Sequence, residues 1–416
     1  MNSLFRYFFF FVNRYLGIKR VLTPPAKRLA WMASVYGFTM AFSGVFLNVF
    51  LFKGDGDWSV VVRYNIVTFA MIPLIFGVGG WIARRGRKLW PIRAGLAFSA
   101  VVFLAMLVFQ ENAREHVVLL GVLNGLAIGF YFLGQHELTF DVTTPENRDL
   151  YFSLQQFLAS VLRIGAMPLA SGLITLFRTG DSPERGYYVL FAVTLGLYLS
   201  LFLETFALKV ENSREPFQLW AALKDHFRPG MRPVMGAYFI WGLRNGLFWF
   251  LVGVLIYRVS NKELAVGAYD MLSQGIILAM TYALSRLATR DNRAFGLGLS
   301  AWLDATGVAL LAWRLNIHTL LWFTIVAAVA AALFQVTFSS YSFDIMEKAG
   351  GDEKRTLENL TIREMPLNAG RIVGLLIFWA CLTRFGETGL RYSVLILGSA
   401  HIGVWWILTH WQQSPE

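Results

Sequence analysis

The sequence predicts an all-α membrane protein, twelve transmembrane helices in two pseudo-symmetric six-helix bundles, and three observations carry that prediction. Apolar stretches of about twenty residues recur at near-regular spacing, the length an α-helix needs to cross a hydrocarbon core of roughly 30 Å. The chain is 56% hydrophobic and 15% charged, against about 25% charged in a soluble domain. Little polar sequence is left to cover a soluble core. The longest polar connection between apolar stretches, 210–232, falls at the middle with six stretches on each side.

Residues 1–28 precede the first stretch. Phe8–Val12 is too short for the apolar region of a secretion signal. Leu4–Leu16 reads instead as an amphipathic helix on the membrane surface, with Arg6, Arg14, Lys19 and Arg20 near anionic headgroups. Six spans follow at 29–52, 60–83, 89–109, 117–140, 151–177 and 187–209, forming a first bundle over 29–209. Six more at 233–257, 264–288, 295–313, 319–342, 362–383 and 390–410 form a second bundle over 233–410. Each must be helical, because backbone polar groups in lipid are satisfied within their own segment. Spans 2 and 8 are the most interrupted by polar residues. The central loop carries an amphipathic section, Phe217–Leu223, and 411–416 is a short tail. With the N-terminus inside, twenty-two Lys and Arg fall on the cytoplasmic side and nine on the other. That asymmetry places both termini and the central loop in the cytoplasm, at a plasma (inner) membrane.

Several function classes are excluded. The net charge of +11 is scattered by the topology rather than gathered in a patch, so no nucleic-acid partner is expected. Cys381 is the single cysteine and lies within a span; it can form no internal disulfide, and zinc-ligand spacing is absent. No metal and no cofactor are expected. No Gly-rich phosphate loop, HExxH or GxSxG occurs, so no catalytic residue is assigned. A multi-span enzyme is a remote alternative, since only loops 141–150 and 343–361 are polar enough to bring a nucleophile and a base together.

The two halves share a weak repeat. Span 4 ends in Thr139-Phe140-Asp141-Val142 and span 10 in Ser342-Phe343-Asp344-Ile345. A charged loop follows each, then a helix with a polar stripe: Gln156, Ser160 and Arg163 in span 5, Glu364, Asn368 and Arg371 in span 11. Both stripes are spaced i, i+4, i+7, so each lies on one helical face. Duplication is a mark of transporter architectures.

Twelve spans in two halves, with both termini inside and a long central loop, resemble the major facilitator superfamily of secondary transporters over essentially the whole chain. The loop after span 2, Gly79 to Lys88, is similar to that family's G-x-L-a-D-R-x-G-R-K signature, with Gly79, Arg84, Gly86, Arg87 and Lys88 matching. Ala83 stands where the family has an acid that joins a cytoplasmic charge network, which puts the gating role of this loop in doubt. The stretches Gly129–Tyr131, Phe140–Thr143 and Asn147–Asp149 further resemble a bacterial branch without an assigned substrate. The resemblance implies alternating access, with ion or proton coupling and a small-molecule substrate. A lipid, amphiphile or drug exporter of the same fold is the alternative. Membrane lipids are expected partners, and a monomer is expected.

Charges at membrane depth cost of order 2.5–3.5 kcal/mol on insertion scales, so each needs a reason. Arg163, Arg244 and Arg371 sit well inside spans 5, 7 and 11. One reading makes them a cationic site for an anionic or polar substrate, with Asn245, Asn368 and Gln156 beside them, since guanidinium bonds carboxylate or phosphate in bidentate fashion. The other pairs Arg163 and Arg371 with Asp141, Asp344 or Glu364 to close the cytoplasmic gate, alongside Arg84, Gly86, Arg87 and Lys88. Arg244 has no acid nearby in its own span, which favours binding. Proton coupling needs a carboxylate or histidine; the candidates are Glu364 and the group His136, Glu137 and Asp141. Asp304 is deep in span 9, and since the family places that helix outside the cavity, its expected role is to meet a packing partner such as an arginine or a serine. Asp270 is expected to be wetted at the outer end of span 8. Gly121, Gly125 and Gly129 have the spacing of close helix packing. Pro168, Ser171 and Gly172 only faintly match the family's antiporter motif. Tyr64, Tyr131, Trp249 and Tyr341 are candidate cavity walls.

Overall fold

The computed structural model describes residues 22–54, 56–144, 147–180, 182, 184–210, 217–226, 231–287, 293–348 and 356–410. The surface helix expected over Leu4–Leu16 and the tail 411–416 lie outside the described residues. So do the side chains of Asp344 and Tyr341, although their backbone lies within a helix.

The first bundle consists of span 1 (Pro24–Lys53), span 2 (Trp58–Arg84), span 3 (Leu89–Phe109), span 4 (Val117–Val142), span 5 (Arg148–Phe177) and span 6 (Arg185–Glu204). Span 1 starts five residues earlier than hydropathy alone indicates. The Thr23 hydroxyl accepts from the Ala26 amide at 3.3 Å and Pro24 occupies the first turn, so a cap and a proline set the start. The central segment forms a short helix, Leu219–His226. The second bundle begins with span 7, which is broken: Arg232–Phe248 and Leu251–Ser260 flank a turn at Trp249 and Phe250. Span 8 (Glu263–Leu287), span 9 (Arg293–Trp313) and span 10 (Ile317–Lys348) follow.

Eleven stretches among the described residues are long and apolar enough to cross a membrane, and the last of them, Thr361–His410, has 50 residues. At about 1.5 Å per residue that is roughly 75 Å, more than twice a hydrocarbon core. The chain turns back at Gly386, whose φ of 56° and ψ of −132° are not helical. Gly389 then packs against the Cys381 backbone, which a straight helix would hold about 12 Å away. The stretch is therefore two crossings: span 11 from Thr356 to the Gly386 turn, and span 12 from there through Gly398 and the helix Ala400–His410. Among the described residues the total is twelve.

Glycines set the closest helix contacts. Gly121, Gly125 and Gly129 of span 4 lie against Tyr64 and Val67, Thr68 and Met71, and Ile72 and Ile75 of span 2. In the second bundle Gly242 and Gly246 of span 7 meet Gly370, Arg371 and Leu367 of span 11, and Gly374 sits on the Leu243 backbone. Small residues matter here because lipid tails are as apolar as Leu, leaving close van der Waals packing to hold helices together. The two bundles meet chiefly through span 5 on span 8 and span 2 on span 11. Ser171 of span 5 is buried there against Gly267 of span 8.

Candidate functional site

Three polar layers cross the seam between the bundles. The middle one begins with the close span 7–span 11 packing, which brings Asn245 and Arg371 side by side. Arg371 donates from Nε to Asn245 Oδ1 and from Nη1 to Asn368 Oδ1, both at 2.9 Å. Its guanidinium lies 4.9 Å from the Phe69 ring of span 2 and 6.0 Å from the Trp249 ring. Asn368 in turn donates to Glu364 Oε2 at 3.1 Å, and Arg363 donates to Glu364 Oε1 at 3.3 Å. His136 of span 4 is within electrostatic reach of Arg363 and Glu364. Two residues proposed separately for proton coupling, His136 and Glu364, thus approach each other across the seam.

Arg244 points elsewhere. Its Nη2 donates to Asp304 Oδ1 at 2.6 Å, with Nε at ion-pair distance, 2.6 Å, from Oδ2, and it lies 4.5 Å from the Phe248 ring. The absence of an acid in its own span misled the sequence reading, because the partner comes from span 9, sixty residues on. Arg244 also lines a cavity of about 250 Å³ with Trp249, Tyr269, Asp270, Ser273 and Thr324, closed from the first bundle by Val45 and Met167. Asp270 is not merely a wetted end residue. It lines this cavity within electrostatic reach of Arg163, which is itself exposed. The reading of Arg163, Arg244 and Arg371 as one cationic site therefore needs correction: Asp304 pairs with Arg244, and Asp270 lies within electrostatic reach of Arg163. Gln156, also exposed, lies 3.5 Å from Ser160 on the same face. Tyr64 and Tyr131 are buried in the first bundle, and Tyr131 stacks on Tyr36. Trp249 does line the cavity.

On the face that carries the chain termini, Lys88 bonds Asp141 at 2.7 Å, so Asp141 is taken by the loop and not by Arg163 or Arg371. Arg84 lies 3.5 Å from Glu358 at the start of span 11. Ala83 is fully buried, and the carboxylate beside Arg84 comes from the other bundle. Glu358 also accepts from the Gln218 amide at 3.0 Å. The Phe217 ring fills the space a side chain at Gly80 would occupy, and Arg85 covers the Trp81 ring at 3.5 Å. Glu137 is buried within electrostatic reach of Arg84, Asp141, Lys88 and Glu358. Arg87 is exposed and Gly86 turns the loop with a φ of 83°.

The opposite face holds a cluster the sequence reading missed. Glu263, at the start of span 8 and 3% exposed, receives Lys53 of span 1 at 3.7 Å and Arg178 at 3.6 Å. Tyr187 of span 6 donates to it at 3.1 Å, and Lys53 also lies 3.7 Å from Glu184. Three cations or donors of the first bundle thus converge on one carboxylate of the second. Val45 against Gly253, and Trp58 against Phe378 at 5.7 Å, close the same face with apolar contacts. Each of these charges sits at a helix end, where sequence alone reads it as loop.

Twelve crossings in two bundles, joined across polar layers at the seam between them, are the frame of a membrane transport protein. The chain matches the Major Facilitator Superfamily over residues 65–352 and belongs to that family. It is 30% identical over 376 residues to YqgE of Bacillus subtilis (strain 168), an uncharacterized protein, covering 90% of this chain and 86% of the relative. Among solved structures, a variant of the nucleoside transporter NupG superposes with a TM-score of 0.72 at 14% identity, covering 93% of this chain and 99% of that one. An inward-facing bacterial homologue of the iron transporter ferroportin gives 0.69 at 14% identity, over 95% and 100%. Those likenesses carry the fold. The chain is an integral membrane protein and a secondary transporter.

Proposed function

We propose that this transporter works by alternating access in a plasma (inner) membrane, with both termini cytoplasmic, and that it carries an anionic or strongly polar small molecule held at Arg371. The observation that supports this most is the setting of that guanidinium. Its described hydrogen-bond partners are neutral amide oxygens, from Asn245 and Asn368, and its aromatic floor comes from both bundles. Amides orient a guanidinium without cancelling its charge, so an incoming carboxylate or phosphate would meet an oriented cation. Two bundles share the residues around it, and a ligand there would contact both. That is the requirement for a site that opens to alternate sides. Ion or proton gradients, or the substrate's own gradient, supply the free energy in this reading.

A thermal-shift screen of purified protein across organic anions, sugars, amino acids and lipophilic drugs tests it. Stabilisation by an anion that is lost in a well-folded Arg371→Ala variant is the expected result. The substitution should weaken binding by about 2–5 kcal/mol, as when one partner of a desolvated charge pair is removed. Binding confined to cations, or unchanged in the variant, would overturn the assignment.

A further inference from the structure

We propose that Asp304 and His401 form a proton-binding site where spans 7, 9 and 12 meet, beside the cavity that Arg244 lines, whose occupancy decides whether Arg244 stays with Asp304 or turns to an anion in the cavity. The inference rests on the reading of the chain as a transporter of anionic or polar substrates. It concerns residues distinct from Glu364, His136, Glu137 and Asp141, which lie toward the termini face.

Asp304 is 1% exposed and His401 is 3% exposed. His401 Nδ1 lies 3.0 Å from Asp304 Oδ2, the oxygen that also faces Arg244 Nε. Arg244 is the other charged group acting on both, among the described residues. Span 10 meets the imidazole with a ring, Phe334, stacked at 3.8 Å between centroids. Both ring nitrogens of His401 are buried; Nδ1 is close to Asp304 without completing a hydrogen bond, and Nε2 has no partner. Even an imidazole that turns an Nδ1 hydrogen to Asp304 leaves the second nitrogen as an empty acceptor, and an unsatisfied buried group costs about 1–3 kcal/mol. Packing gives no reason to bear that cost, because a phenyl ring would stack on Phe334 equally well. A proton does.

The charge balance supplies the coupling. With His401 neutral, one carboxylate faces one guanidinium and the pair is closed. A proton taken up at Nε2 makes His401 an imidazolium, so a single carboxylate faces two cations. Its hold on Arg244 weakens, and the guanidinium, already part of the cavity wall, becomes available to a substrate anion. One proton enters with one negative charge; both leave together and the site returns to its closed pair. The backbone provides the give. Span 7 breaks at Trp249 and Phe250, five residues past Arg244, and span 12 loosens for one residue at Ser399, two residues before His401, where the Ser399 amide still bonds the Leu395 carbonyl. Interrupted helices at mid-membrane are where transporters place ion and substrate sites.

The test needs no substrate. Infrared difference spectra of the whole chain in nanodiscs, between about pH 8 and pH 5 where histidine charge changes fall, read imidazolium and carboxyl bands directly. The expected result is a component lost in His401→Gln and altered in Asp304→Asn. His401→Phe keeps the stack on Phe334 but binds no proton. It should fold and lose the same component, which guards against a misfolded Gln or Asn variant. Spectra identical to wild type in folded His401→Phe would overturn the proposal, as would a wild type without any titrating component. Either result would leave the transporter reading standing. A proton-binding chain that moves no solute would sink that reading and keep the site.

Discussion

Neutralising Glu263 should open the face opposite the termini. Glu263 is the only described carboxylate of the second bundle in that cluster, and Lys53, Arg178 and Tyr187 of the first bundle all converge on it. At an effective dielectric of about 20, two unit charges 3.7 Å apart attract by roughly 4.5 kcal/mol before desolvation is subtracted. Arg178 is 46% exposed, so its share is screened and adds under about 1 kcal/mol. Glu263→Gln keeps a hydrogen-bond acceptor for Tyr187 and removes the charge. After the desolvation that Glu263 no longer suffers, the net loss should be about 2–3 kcal/mol, or a shift of roughly 30- to 150-fold in the closed-to-open ratio. Spin labels read this ratio as distance distributions. They can be placed at Ser182→Cys and Lys262→Cys, both exposed and on opposite bundles, with the native Cys381 replaced by Ser. The long-distance population should grow markedly in Glu263→Gln. An unchanged distribution in folded protein would refute the idea that this carboxylate holds the two bundles together.

Other outcomes follow from the same geometry. Gly370→Leu should lower the thermal midpoint by several degrees, because a side chain there meets the Phe239 backbone of span 7; Gly44→Ala, with open space around it, should not, and equal effects would discount the glycine seam. Glu358→Gln should loosen the termini face by removing the carboxylate beside Arg84, read as faster alkylation of a cysteine introduced at Gln156. No change in that rate would assign Glu358 a purely local role. Reporter fusions at residues 216 and 416 should both report cytoplasm, and a signal from the other side at either would reverse the proposed orientation.

Much of the fold was legible because lipid imposes a simple code. Span length and the charge asymmetry of loops need no tertiary information, and the twelve crossings match the twelve apolar stretches. The close packing of Gly121, Gly125 and Gly129 was equally readable. The same spacing at Gly242 and Gly246, and at Gly370 and Gly374, carried an equal signal and marks the span 7–span 11 seam that builds the Arg371 site. Partner choice was not legible. Arg244 and Asp304 are separated by sixty positions and by an intervening span, and nothing in either neighbourhood names the other. His401 reads as an unremarkable polar residue in an apolar helix until Phe334 and Asp304 are placed around it. Lys53, Glu184, Glu263 and Glu358 look like ordinary helix-end charges, since hydropathy distinguishes depth but not which ends converge.

The fold-back at Gly386 has a mechanical consequence. Spans 11 and 12 are joined by that tight turn, whose residues 383–388 are exposed, and Gly389 rests directly on the helix it has just left. Such a pair behaves as a bent lever with a stiff elbow. Arg371 sits on one arm and His401 on the other. If a solute bound at the proposed Arg371 site tilts the first arm, the turn carries that tilt to the second. Lengthening the elbow with a few flexible residues would decouple the arms while leaving every polar contact intact.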